Sequence, residues 1–284
     1  MTLRVKAKDI FSWLLSEFRE RPLSLTIGEA LEEYSENVCN IPEDLVDSKS
    51  AIATEVVSLI DDYVSACNVI GKTALIYRSP WSTDLILSGI RVSSRDSSED
   101  QHRKKLLACL DGILASLYNL TPAHFEAFAC QMLKRAGVPA EQTVLRGDNG
   151  VDFHGETEVP FSRAMADARY AWVLVTFIGQ VKRYSPSRTV GPDKFRELVG
   201  TLVLEMQEAA VLSPYYGATR PYFTIFATTS RVSHRTWLNA KARGCIVLDG
   251  QMVVELMIDT YINSIEASKR KPSKDALLSW FGVS

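Results

Sequence analysis

The sequence predicts an α/β protein in which a mixed central sheet flanked by helices follows a mostly helical N-terminal domain. Three observations predict it. Helical apolar spacing comes first in the chain, strand-like and helical segments alternate beyond residue 120, and polar clusters in that second region fall at strand ends. A length of 284 residues suits two domains, since a domain usually holds roughly 100–200.

The elements follow in order. Over residues 3–21, Ile10, Leu14, Leu15 and Phe18 share one helical face, and Pro22 stops the pattern. A second helix is expected over 26–38 and a third over 51–67, where Ile52, Val56, Leu59, Ile60 and Tyr63 recur at helical intervals. Residues 69–77 are β-prone and pair as a hairpin with 85–92, so residues 1–95 form a winged-helix-like recognition or interaction domain. Residues 93–100 are polar, Ser-rich and without apolar periodicity, the mark of a linker. Residues 96–119 are accordingly a linker and a connecting helix over 106–118.

The second domain, 120–266, opens on Thr121-Pro122, an N-cap and a first-turn proline, and its helix ends at Gly137. Phe125, Phe128, Ala129, Met132, Leu133 and Ala136 form the buried stripe of this helix, with Glu126 beside it, within reach of a cleft. Strands are expected at 142–146, 151–154 and 172–182, with an insertion at 156–170. A helix over 193–211, a strand over 222–228, a Ser-capped helix over 233–243, a strand over 245–248 and a helix over 251–265 complete the order αβββαβαβα. Residues 267–284, with Lys269, Arg270, Lys271 and Lys274, read as a basic C-terminal tail, either solvated or contacting DNA.

Composition narrows the class. With 46% hydrophobic and 23% charged residues the chain is expected to be globular and soluble. No apolar run reaches the roughly 18 residues of a membrane span and no signal-type core follows the first residues, so a cytoplasmic protein with no membrane contact is expected. Five scattered cysteines without a C-x-x-C spacing point to reduced thiols rather than a disulfide framework or zinc knuckle. Residues 1–110 hold 13 Lys+Arg against 17 Asp+Glu, and residues 111–284 hold 19 against 17. The halves are therefore −4 and +2, and contact with a polyanion has to come from local basic patches.

The chemistry gathers between residues 150 and 184. Side chains alternate along a strand, so Gln180 and Lys182 share a face while Val181 points into the core. With Asp152 on the neighbouring strand, the Asp152 carboxylate, the Gln180 amide oxygen and the Val181 backbone carbonyl are oxygen donors for a hard cation such as Mg²⁺, which Mn²⁺ would replace. Lys182 would orient or help deprotonate the attacking water and offset charge on a scissile phosphate. Glu126 is a candidate auxiliary carboxylate. Arg183, Tyr184 and Arg188 are either a solvated strand end or a grip on a DNA backbone.

Several motifs have plainer readings. Asp148-Asn149-Gly150 is a turn, which leaves Asp152 as the better ligand. His102, His124, His154 and His234 are scattered and read as ordinary surface or core residues. Gly71-Lys72-Thr73 looks like the tail of a phosphate-binding loop, yet Ala66 stands where the first glycine belongs and a helix precedes it. Thr228-Thr229-Ser230 is either a polar strand end near substrate or a strand-to-helix turn.

Over about residues 120–256 the pattern resembles the Mrr-like catalytic domain of the restriction-endonuclease, or PD-(D/E)XK, superfamily. The resemblance runs through Leu120-Thr121-Pro122 with Phe125-Glu126, Gly150-Val151-Asp152, Gln180-Val181-Lys182-Arg183-Tyr184, Val190-Gly191, Arg196-Glu197-Leu198 with Gly200, Thr228-Thr229-Ser230 and Leu248-Asp249-Gly250. It implies a restriction-endonuclease-like core and metal-dependent hydrolysis of double-stranded DNA, often foreign or modified. In it Asp152 and Gln180 are ligands, Lys182 the catalytic cation and Glu126 an auxiliary acid. Gln in place of the second acid is common in that family. Two departures stand out: the 156–170 insertion bears on strand pairing, and Thr236, where a small Ala is expected, bears on helix packing. Three functions are carried forward: a restriction or defence endonuclease, acting as a homodimer if both strands are cut; a nuclease-fold DNA-binding or sensor protein that no longer cleaves; and a protein-binding role for residues 1–95.

Overall fold

Ala7, Ile10, Leu14 and Phe18 are buried along one side of the helix Ala7–Glu20 (α1), the spacing that a 3.6-residue turn brings into line. The computed structural model describes residues 6–20, 24–35, 46–79, 82, 84–90, 92–93, 96–143, 151–160, 172–193, 195–196, 199–200, 221–264 and 272–283. It divides into two units, Met1–Leu110 and Asp111–Ser284.

In the first unit α1 is followed by β1 (Ser24–Thr26), α2 (Ile27–Tyr34), α3 (Val46–Ile70), β2 (Ile76–Arg78), β3 (Leu85–Ser88) and α4 (Ser98–Leu107). Thr26 and Glu29 form a reciprocal capping box that starts α2, and the bonds from Thr26 lower the pKa of Glu29. The strands form an antiparallel sheet of order β1-β3-β2. This is the connectivity of a winged helix. Its core joins Leu14 and Phe18 to Val56, Ile60, Ile76 and Ile86.

Two details differ from expectation. α3 carries the β-prone Val69 and Ile70 as its last residues and stops at Gly71, whose φ of +71° suits a glycine closing a helix. Ser97, inside the expected linker, accepts from the Asp100 N–H and starts α4. A second short helix, α5 (Leu110–Asn119), follows, so the connecting helix expected over 106–118 is two helices.

The second unit contains α6 (Pro122–Arg135), β4 (Glu141–Gln142), β5 (Phe153–Pro160), β6 (Trp172–Lys182), β7 (Thr189–Val190), β8 (Tyr222–Thr228), β9 (Arg231–Val232), α7 (His234–Ala242), β10 (Cys245–Leu248), α8 (Gly250–Ile262) and α9 (Lys274–Trp280). Thr121, Ser233 and Asp249 cap α6, α7 and α8 as N-cap acceptors. The main sheet has the order β10-β8-β6-β5-β4. Its β4, β5 and β6 pair antiparallel, whereas β6, β8 and β10 run parallel, so the sheet is mixed.

The insertion at 156–170 does not disturb the pairing. Residues 156–160 prolong β5, which matches β6 from Phe153↔Gly179 to Pro160↔Trp172. Thr236 is fully buried and settles into its helix, with its hydroxyl donating to the Val190 carbonyl at 3.3 Å. Residues 144–150, which hold the Asp148-Asn149-Gly150 turn, and most of the helix expected over 193–211 lie outside the described residues.

The basic tail needs correction over residues 272–283. They form α9 and its cap, bury Leu277, Leu278, Phe281 and Val283, and pack on α8. Arg135 stands over the Trp280 ring at 4.0 Å, and Phe128 meets Phe281 edge-on at 5.9 Å. Phe281→Ala is expected to cost about 3–5 kcal/mol, read as a lower urea midpoint of the full chain.

Cys67, Cys130 and Cys245 are buried and form no disulfide among the described residues, and burial raises the thiol pKa of Cys130 and Cys245. Among the described residues no helix is long and apolar enough to cross a membrane.

Candidate active site

The site grows out of the β5–β6 register. Phe153 pairs with Gly179, and a β-carbon at position 179 would lie 1.9 Å from Phe153 Cζ, so the ring occupies the space that glycine leaves. One residue earlier, the Asp152 N–H donates to the Gly179 carbonyl at 2.9 Å, which places Asp152 beside Gln180 at the end of the ladder. Thr143 holds the same segment from the other side: its hydroxyl donates to the Val151 carbonyl at 2.5 Å and its N–H to the Asp152 carbonyl at 3.2 Å. On the far side β6 pairs with β8, setting Gln180 against Phe226 and Lys182 against Thr228.

The Asp152 carboxylate turns towards β6. Its Oδ2 accepts the Val181 backbone N–H at 2.6 Å and lies 4.0 Å from Lys182 Nζ. That second distance is too long for a hydrogen bond, so charge keeps the ammonium near the carboxylate without committing it there. The two side chains are 11% and 32% exposed, which keeps them within reach of water yet less screened than open surface charges. Val181 itself is buried.

Gln180 supplies the telling feature. It is 4% exposed, and its buried Oε1 has no hydrogen-bond partner among the described residues. Leaving such an acceptor unsatisfied costs about 1–3 kcal/mol, a cost that a bound water or cation would remove. An unsatisfied amide oxygen, a neighbouring carboxylate and the Val181 carbonyl are hard oxygen donors, and they fit a divalent cation that keeps several waters. Among the described residues no group of three or more His, Cys, Asp or Glu forms a metal cluster.

The remaining candidates divide. Glu126 is half-buried on α6, which packs on β6, and it makes no hydrogen bond or ion pair among the described residues. Arg183 donates from Nη1 to the Tyr118 carbonyl at 2.6 Å and stands 4.9 Å above the Tyr118 ring, tying the end of β6 to α5. Arg188 is exposed and stacks on the Tyr184 ring at 4.6 Å. The Tyr184 carbonyl accepts from the Thr229 hydroxyl, and Thr228, Thr229 and Ser230 are all buried. Sequence reasoning did not reach Thr143 or Tyr118, since a threonine after a two-residue strand and a tyrosine near a helix end carry no local signal.

A mixed sheet flanked by helices, with Asp152 beside Lys182 at the end of neighbouring strands, is the fold of a restriction-endonuclease-like domain. Residues 117–257 match the family model described as restriction endonuclease, of the Mrr catalytic type, and the C-terminal unit carries a domain of that family. Among solved structures the chain is similar to the MspJI restriction endonuclease in complex with a 27-mer oligonucleotide, at 17% identity and a TM-score of 0.41 over 67% of this chain and 39% of that one. It is also similar to the DNA modification-dependent restriction endonuclease AspBHI (20% identity, TM-score 0.41, 68% of this chain and 43% of that one). The restriction endonuclease FokI covers more of the chain (13% identity, TM-score 0.36, 96% and 49%). The chain thus spans less than half the length of each. No curated protein matches it.

Proposed function

We propose that this chain is a metal-dependent DNA endonuclease of the restriction type, active on foreign or modified double-stranded DNA in the cytoplasm. The observation that carries the reading is the unsatisfied Gln180 Oε1 beside the Asp152 and Lys182 pair. Asp152, Gln180 and the Val181 carbonyl would hold Mg²⁺, or Mn²⁺ in its place. The bound ion supplies Lewis-acid polarisation of a phosphate oxygen and a more acidic water. Lys182 orients the attacking water and offsets charge on the phosphate, Glu126 serves as an auxiliary acid, and Arg183, Tyr184 and Arg188 hold the DNA backbone. With one site per chain, cutting both strands calls for a homodimer. The N-terminal unit is left for recognition or a protein partner.

The test is nicking of modified and unmodified plasmid by the full chain with Mg²⁺, Mn²⁺ or a chelator. Either metal should support nicking and the chelator should stop it. Gln180→Leu should raise the metal concentration for half-maximal nicking roughly 10-fold or more, as loss of a metal-supporting group does. A second reading, a nuclease fold kept for DNA binding or sensing, is left open by Gln180, an amide where a second acid would stand. Duplex binding without nicking in any divalent metal would establish it.

A further inference from the structure

In helix-turn-helix folds the second helix of the pair lies in the major groove, and in the winged-helix unit described above that helix is α3. Its chemistry is wrong for the place. Beyond Lys49 near its start, α3 carries no Lys or Arg as far as Ile70, and Glu55, Asp61 and Asp62 are exposed along it. The adjoining hairpin has one cation between residues 76 and 90, Arg78. Asp61 of α3 engages it through two hydrogen bonds of 2.8 and 2.5 Å. Non-specific DNA affinity comes from Lys and Arg neutralising phosphates, and carboxylates pushed between two phosphate rims are repelled. The whole unit is net −4 while the C-terminal unit is net +2.

We infer that α3 enters no DNA groove: the N-terminal unit does not read base sequence, and DNA contact is borne by the C-terminal unit. This rests on the endonuclease reading for the presence of DNA. It assigns specificity to the side that holds Asp152, Lys182 and the exposed Arg188 on Tyr184.

The experiment uses the full chain, a labelled duplex and no divalent metal, with affinity followed against salt. Ser58 and Ser65 lie on the exposed side of α3, so one variant carries Ser58→Glu with Ser65→Glu and another Ser58→Lys with Ser65→Lys. Both should bind within about twofold of wild type with the same salt slope, while Arg188→Ala weakens binding and lowers the slope by about one. Tightening by the lysine pair and weakening by the glutamate pair, tenfold or more with the slope moved by about two, would overturn the inference. Arg188→Ala without effect would remove its C-terminal half. Thermal melts confirm that each variant folds, and Asn68→Glu and Asn68→Lys repeat the test at another exposed position. Failure of the endonuclease reading looks different, because the wild-type chain itself would then bind no duplex and nick no plasmid.

Discussion

Asp152→Asn is expected to lower metal-dependent nicking by about a thousandfold or more while the protein stays folded. The substitution is nearly isosteric, and the Asn oxygen can still accept the Val181 N–H that Asp152 Oδ2 accepts at 2.6 Å. What disappears is the negative charge that would hold a cation and that keeps Lys182 Nζ 4.0 Å away. Little stability should go with it. Lys182 is 32% exposed, and an ion pair screened to that degree is worth about 0–1 kcal/mol. Lys182→Met separates the two roles: metal binding persists while nicking falls about 10²–10³-fold, the usual loss when one preorganised charge is removed from the reacting group. Nicking rates beside thermal melts check both variants. Asp152→Asn retaining a tenth of wild-type activity would sink the proposed centre.

Gly179→Ala should damage stability and activity together. The added Cβ would stand 1.9 Å from Phe153 Cζ, 2.3 Å from Cε1 and 2.6 Å from Cε2. Phe153 is 1% exposed, so its ring has no open space to swing into and either the ring or the strand must shift. Overpacking of this kind costs about 3 kcal/mol, which for a unit of this size lowers the melting temperature by roughly 6–12 °C. Because Phe153 directly follows Asp152, the shift displaces the carboxylate and nicking falls too. Adding Phe153→Leu removes the clashing ring atoms and should restore part of both losses. Urea denaturation of the three proteins together with their nicking rates decides the matter, and a single variant as stable as wild type would refute the packing argument.

Legibility followed locality. The strands β8 and β10 and the cap of α7 were readable because β-prone runs, Ser233 and Gly244 act within a few residues of themselves. The strand character of residues 156–160 was hidden, because glutamates at 156 and 158 resemble a polar loop until residues 172–176 pair with them. α9 was hidden for a related reason. Seven residues are too few to hold a helix by propensity, and this one persists because Leu277 and Phe281 are buried and Trp280 stacks under Arg135.

By itself the sequence determined which side chains belong to each strand face and helix stripe, and so that Gln180 and Lys182 share a side of β6. Alternation and helical spacing are properties of the chain over a few residues. Only the tertiary structure decided that Asp152 meets Val181 and Lys182, that the Gln180 acceptor is buried with no donor among the described residues, and that Arg183 is drawn onto Tyr118. Those outcomes depend on the register between segments far apart in the chain and on which helix packs where, and no local pattern encodes either.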